Sequence, residues 1–84
     1  MVLLTRFEVA KLIGMRALQI YDGSDVKVVV DDPELRDNSL YIAALELRRG
    51  LLDARIVRDG FTIDVQSARM PESLDMILAN FEIH

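Results

Sequence analysis

Four residues near the amino terminus constrain this chain most. Thr5-Arg6-Phe7-Glu8 has the form of a capping box. In that motif the threonine hydroxyl accepts a hydrogen bond from the glutamate amide, and the glutamate side chain reaches back to the cap. Leu4 and Val9 flank it at the spacing of a hydrophobic staple. Phe7, Ala10, Gly14, Ala17 and Tyr21 then recur at helical intervals, and Val9, Leu12, Ile13 and Ile20 widen the apolar surface. The spacing predicts a helix over residues 5–20. Ala10, Gly14 and Ala17 form a flat strip on it that another backbone can approach closely. This is more apolar helix surface than one small domain needs.

The remaining elements are short. Asp22-Gly23-Ser24-Asp25 reads as a turn. Val26-Lys27-Val28-Val29-Val30 is β-branched apart from its lysine, so a short strand or extended segment is expected. Asp31-Asp32-Pro33-Glu34 breaks it. A second helix is expected to start near Asp37-Asn38-Ser39, with a stripe of Leu40, Ala43, Ala44, Leu47 and Leu51. Arg48 and Arg49 complement its dipole, and Gly50 terminates it. Ala54-Arg55-Ile56-Val57 and Phe61-Thr62-Ile63-Asp64-Val65 flank Arg58-Asp59-Gly60, the pattern of a β-hairpin with a tight Asp-Gly turn. Leu74, Ile77, Leu78 and Phe81 point to a short final helix. The fold class is therefore α+β, mostly helical, in one small domain with two main helices, a hairpin and a short carboxy-terminal helix.

At 84 residues the chain has room for one core. A domain this small buries only roughly 60–65% of its unfolded surface and is marginal alone. Such domains usually recruit a disulfide, a metal or a partner. There is no cysteine, so disulfides and thiolate metal sites are excluded and a partner is the remaining option. No stretch approaches the ~20 apolar residues of a membrane span, and the opening Met1-Val2-Leu3-Leu4 is too short for a signal peptide. A soluble intracellular protein, not working as a free monomer, is the expectation.

The formal charge of −4 is unevenly spread. Residues 1–21 carry a net +2 and the remainder a net −6. No dense basic stripe of the kind that grips nucleic acid is present, so direct nucleic-acid contact is not expected. The sole histidine, His84, ends the chain, where little can orient an imidazole for catalysis or metal binding. Asp22, Asp25, Asp31, Asp32, Glu34 and Asp37 cluster without the alternation of a calcium loop and read as solvated loop acids. Arg48, Arg49, Arg55 and Arg58 interleave with Asp53, Asp59 and Asp64, so a mixed solvated face explains them better than phosphate contacts. No catalytic residue, cofactor site or metal site is expected. Arg16 is unusual, because it lies in an otherwise apolar stretch with Gln19 three residues on. It either snorkels from a buried helix or joins Gln19 in polar contacts to another chain.

The first helix also carries a family resemblance. Thr5, Arg6, Phe7 and Glu8, followed by Gly14, Arg16, Ala17, Leu18 and Gln19, resemble the signature helix of one subunit family of multisubunit RNA polymerases. That family comprises bacterial omega, archaeal subunit K and the sixth subunit shared by the eukaryotic enzymes. Residues Asn38 through Gly50 are similar to its second helix, and Leu52 to Gly60 resemble the strand and turn of eukaryotic members. Gly23-Ser24-Asp25-Val26 replaces the family's glycine-alanine-proline-valine stretch, and Asp53 stands where a proline precedes the later strand, which marks a divergent member of archaeal or large-DNA-virus type.

The resemblance implies an omega-like fold in a single domain over residues 1–84. It also implies a non-catalytic structural subunit of a DNA-dependent RNA polymerase, with no cofactor. Family members clasp the largest subunit and promote assembly, so Thr5, Arg6, Phe7, Glu8, Ala10, Gly14, Arg16, Ala17 and Gln19 are the implied partner-binding residues. The implied location is the site of transcription, cytoplasmic for an archaeal or cytoplasmic-viral protein and nuclear for a eukaryotic one. The alternatives are a stand-alone interaction module or homodimeric regulator using the same helical surface, and a small enzyme, for which the sequence offers no convergent polar groups.

Overall fold

The capping box closes as its spacing requires. In the computed structural model, which describes residues 1–83, Thr5 N–H donates to Glu8 Oε1 at 2.8 Å and Glu8 N–H donates to Thr5 Oγ1 at 3.1 Å. Helix α1 (Arg6–Tyr21) starts there. Leu4 and Val9, the staple pair, are both in the core. His84 lies outside the described residues.

Helix α2 (Ser39–Arg48) is capped by Asn38, whose side chain accepts from the Tyr41 amide at 3.1 Å. Both helices end on the same device. Gly23 and Gly50 take φ of +105° and +70°, and the residue after each donates back to a carbonyl in the last turn, Ser24 to Gln19 and Leu51 to Glu46. Such a left-handed residue folds the chain back over the helix end, and glycine adopts it without steric cost.

Strands β1 (Arg55–Arg58) and β2 (Phe61–Asp64) form the hairpin, with Arg58 opposite Phe61 and Ile56 opposite Ile63. Asp59 and Gly60 have φ of 50° and 83°, as the mirror-image two-residue turn requires. A 3-10 turn (Val65–Ser67) leads to α3 (Glu72–Glu82). These elements make the expected α+β domain, with helices predominating.

Helix α1 packs on α2 and α2 on α3, whereas α1 and α3 touch only sparsely. The core gathers Val9, Leu12, Ile13 and Ala17 of α1, Ala43, Ala44 and Leu47 of α2, and Leu74 and Leu78 of α3. Ala17, Ala43 and Ala44 are among the core residues these two helices supply, and their short side chains permit close approach. Tyr41 meets Phe81 edge-on at 5.8 Å and donates its hydroxyl to Glu82 Oε2 at 2.8 Å. Burial and that carboxylate push the Tyr41 phenol above its ordinary 10.

The structure bears on two further expectations. Residues 26–30 form no strand, because no second strand lies alongside them. Their segment is held instead by a carboxylate, Glu46 Oε2 accepting from the Lys27 amide at 2.8 Å. Leu40 is not buried with the rest of its stripe: it is 47% exposed, whereas Tyr41 and Ile42 beside it in sequence are buried. Leu40 points the same way as Leu47, seven residues on, and its exposure goes with its place in the first turn of α2.

Glu46 is fully buried, with Arg16 of α1 against it at 6% exposure. Arg16 Nε donates to Glu46 Oε1 at 2.6 Å, and Arg16 Nη2 donates to the Asp25 carbonyl at 2.7 Å. Removing one partner of a buried pair leaves an uncompensated charge, which costs about 3–5 kcal/mol. Arg16→Ala or Glu46→Ala should therefore lower stability by that order in urea unfolding, and Arg16→Met with Glu46→Leu should recover most of the loss. A wild-type urea midpoint for Arg16→Ala would show that the pair does not hold the helices.

Candidate partner-binding surface

An α-helix advances 100° per residue, so α1 divides into two arcs. Val9, Leu12, Ile13, Arg16 and Ala17 face the core. Phe7, Ala10, Gly14, Leu18 and Tyr21 line the opposite arc and are exposed, with Phe7 at 75% and Tyr21 at 82%. The first helical series read from the sequence is thus mainly the outward stripe, and the residues read as widening it form the inward one. Both periods are helical, and periodicity alone does not say which arc a second helix covers. The outward arc is a narrow apolar ridge with a step at its middle: a Cβ added at Gly14 would have no heavy atom within 4 Å.

The nine residues expected at a partner surface do not lie together. Arg6, Phe7, Ala10, Gly14 and Gln19 are exposed. Arg6 stacks its guanidinium 5.4 Å from the Phe7 ring centre, so the two present one amphipathic patch. Thr5 and Glu8 are engaged in the helix cap. Ala17 is buried between α1 and α2.

Arg16 is neither a snorkelling arginine nor an exposed contact. Its guanidinium faces Glu46, donates to the Asp25 carbonyl, and gives Nη1 to Gln19 Oε1 at 3.2 Å. The position falls on the inward arc, and the acid that faces it from α2 makes its burial tolerable. Sequence reasoning passed over Glu46 as the partner of Arg16, and named Leu18 only within the family resemblance. An acid among Ala43, Ala44 and Leu47 matches Arg16 among Ile13 and Ala17, and Leu18 lies one turn after Gly14 on the same arc.

Glu8 does a second job besides capping. Arg58 of β1 donates Nε to Glu8 Oε2 at 3.0 Å, contacts Oε1 with Nη2, and also donates Nη2 to the Leu3 carbonyl at 3.0 Å. One carboxylate thus fixes both the start of α1 and the position of the hairpin. The Arg58 bonds, followed by the Thr5 amide, hold its pKa at about 2, against an ordinary 4.5.

Shallow grooves flank α1. One of about 490 Å³ runs between its first turns and α3, lined by Phe7, Ala10, Met76 and Ile77 among others. Another of about 390 Å³ lies between α1 and β1. Among the described residues no group of three or more His, Cys, Asp or Glu side chains is placed to hold a metal ion. No helix among them is long and apolar enough to cross a membrane. The chemistry on offer is that of adhesion: apolar ridge, grooves and isolated cations.

Comparison with known proteins bears on what adheres. The family model described as RNA polymerase Rpb6 matches residues 2–53, which include all of α1 and α2. A protein of Pyrobaculum aerophilum named DNA-directed RNA polymerase subunit Rpo6 is 43% identical over 76 residues, 87% of this chain and 68% of that protein. Its namesake in Thermofilum pendens is 51% identical over 55 residues, 66% of this chain and 65% of its own length. That of Thermococcus gammatolerans is 43% identical over 54 residues, 64% of this chain and 90% of its own. No solved structure matches the chain.

The lowered pKa of Glu8 makes stability depend on acid. The folded state holds the carboxylate more tightly than the unfolded state, so this contribution is fully present above pH 4.5 and is lost as pH falls through about 2. Thermal midpoints measured from pH 6 to pH 2 should fall across that window, and Glu8→Gln should flatten the fall. In Arg58→Ala the Glu8 carboxyl, followed by NMR, should titrate back towards 4.5; an unmoved titration would remove Arg58 as the cause.

Proposed function

Since the chain belongs to the RNA polymerase Rpb6 family, we propose that it is a non-catalytic structural subunit of a multisubunit DNA-dependent RNA polymerase, one that clasps the largest subunit and promotes assembly. The observation that carries this reading is the outward arc of α1. The chain's own core consumes only one side of its best-specified helix, and the other side exposes Phe7, Leu18 and Tyr21 around Gly14. Exposed large apolar residues in a row on one helix are the expected mark of a surface that another chain covers.

The small residues at the centre of the ridge suit a helix or strand that approaches closely. Arg6, paired with no acid among the described residues, suits an acidic or carbonyl-rich rim on the partner. In this role the protein acts where transcription occurs and contributes no reacting group. The largest subunit would bury the ridge, and the marginal size of the isolated domain makes that burial part of its stability. A homodimer using the same ridge is the competing outcome, and sedimentation of the isolated chain separates the two.

Gly14→Leu tests the reading without disturbing the fold. Gly14 lies inside a helix in open space, so leucine should raise the stability of the isolated chain by about 1 kcal/mol through helix propensity. At a closely packed interface the same side chain overpacks, at about 1–3 kcal/mol, which corresponds to a loss of roughly five- to 150-fold in affinity. The tagged variant should therefore recover far less of the two large polymerase subunits than wild type, while its thermal midpoint holds or rises. Undiminished recovery would show that the Gly14 ridge is not the clasping surface.

A further inference from the structure

The hairpin carries a feature that the α1 ridge does not explain. Its two-residue turn makes Arg58 and Phe61 a hydrogen-bonded pair, and Val65 N–H donates to the Ala54 carbonyl at 3.0 Å. Antiparallel pairing alternates, so Ala54, Ile56 and Arg58 direct their main-chain groups to β2. Arg55 and Val57 direct theirs away from it. Among the described residues nothing bonds to those outward N–H and C=O groups. Both residues are exposed, Val57 at 75%. Beside this edge runs the groove of about 390 Å³ between β1 and α1, with Leu12, Met15 and Ile56 among its lining residues.

The groove is also electrically one-sided. Lys11 and Arg55 line it, and among the described residues neither has an ion-pair partner. The one acid of the lining, Glu8, is already neutralised by Arg58. In a chain of net charge −4, two unpaired cations flanking an apolar trough beside an open strand edge describe a specific ligand.

We propose that the outer edge of β1 accepts an extended, acidic segment of the partner polypeptide by strand addition. Resting on the polymerase-subunit reading, the inference takes that partner to be the largest subunit. The segment would lie antiparallel or parallel to β1 and exchange main-chain hydrogen bonds with Arg55 and Val57. Alternate side chains would point into the trough, where Met15 and Leu12 select apolar ones. Its carboxylates would meet Lys11 and Arg55. The main-chain bonds specify an extended backbone, and the two cations specify its charge. This surface is separate from the α1 ridge, so the chain would hold its partner from two sides.

Amide hydrogen exchange on the full chain, free and within purified polymerase, reads the proposal directly. The amides of Arg55 and Val57 should exchange rapidly in the free chain and at least about tenfold more slowly in the complex. Those of Ile56 and Arg58, already bonded to β2, serve as the internal reference. Lys11→Glu with Arg55→Glu, both at exposed positions, should reduce recovery of the large subunits by about tenfold or more in low salt and less in high salt.

Assembly with wild-type exchange at Arg55 and Val57 overturns strand addition and leaves the subunit reading intact. Wild-type recovery of the double charge reversal overturns the acidic character of the segment. Protection of the two amides in the free chain that grows with its concentration identifies a second copy as the occupant, and overturns the proposal. Failure of the wild-type chain to recover either large subunit overturns the subunit reading and this inference with it.

Discussion

The Arg16–Glu46 pair is the constraint on which the remaining structure hangs. Two charges taken out of water in a domain of this size are tolerable only if each is almost fully hydrogen-bonded. Glu46 accepts from Arg16 and from the Lys27 amide, and Arg16 donates to Glu46, Asp25 and Gln19. The pair therefore sets the register of α1 on α2. It also ties down the connection between them, which has no secondary structure of its own. An apolar pair could fill the same volume, but the Lys27 amide and the Asp25 carbonyl would then turn to solvent and the loop would lose its anchor.

Register has a consequence for the surface. Turning Arg16 inward places Val9, Leu12, Ile13 and Ala17 on the core side, and so leaves Phe7, Gly14, Leu18 and Tyr21 outside. The apolar ridge of α1 is the geometric complement of the buried pair. At the helix start, Glu8 plays a comparable part at lower cost, because it remains partly solvated while bonding Thr5 and Arg58. One ion pair thus orients α1 against α2, and the other orients the hairpin against α1. Between them they define the ridge and the groove to which the proposed contacts belong.

Much of this was legible in local chemistry. The capping box, the staple, the Asp-Gly turn and the Gly50 stop each depend on residues within a few positions of one another, and each forms; Asn38 is the one of three candidate caps that is used. The resemblance in the first helix likewise rests on contiguous residues and agrees with the match over residues 2–53. Local interactions need no knowledge of what lies across the fold, which is why they can be read from order alone.

By itself, then, the order of residues determined most of the elements, their ends and the family. Tertiary structure alone decided which arc of α1 is inside, where Arg16 points, and that residues 26–30 find a carboxylate instead of a strand. These outcomes depend on a residue thirty positions away, Glu46, whose partner is chosen by the packing of two helices. Both arcs of α1 are apolar at helical spacing, so hydrophobicity was degenerate between them. The burial of one charge opposite another removed that degeneracy, and only a three-dimensional arrangement brings the two together.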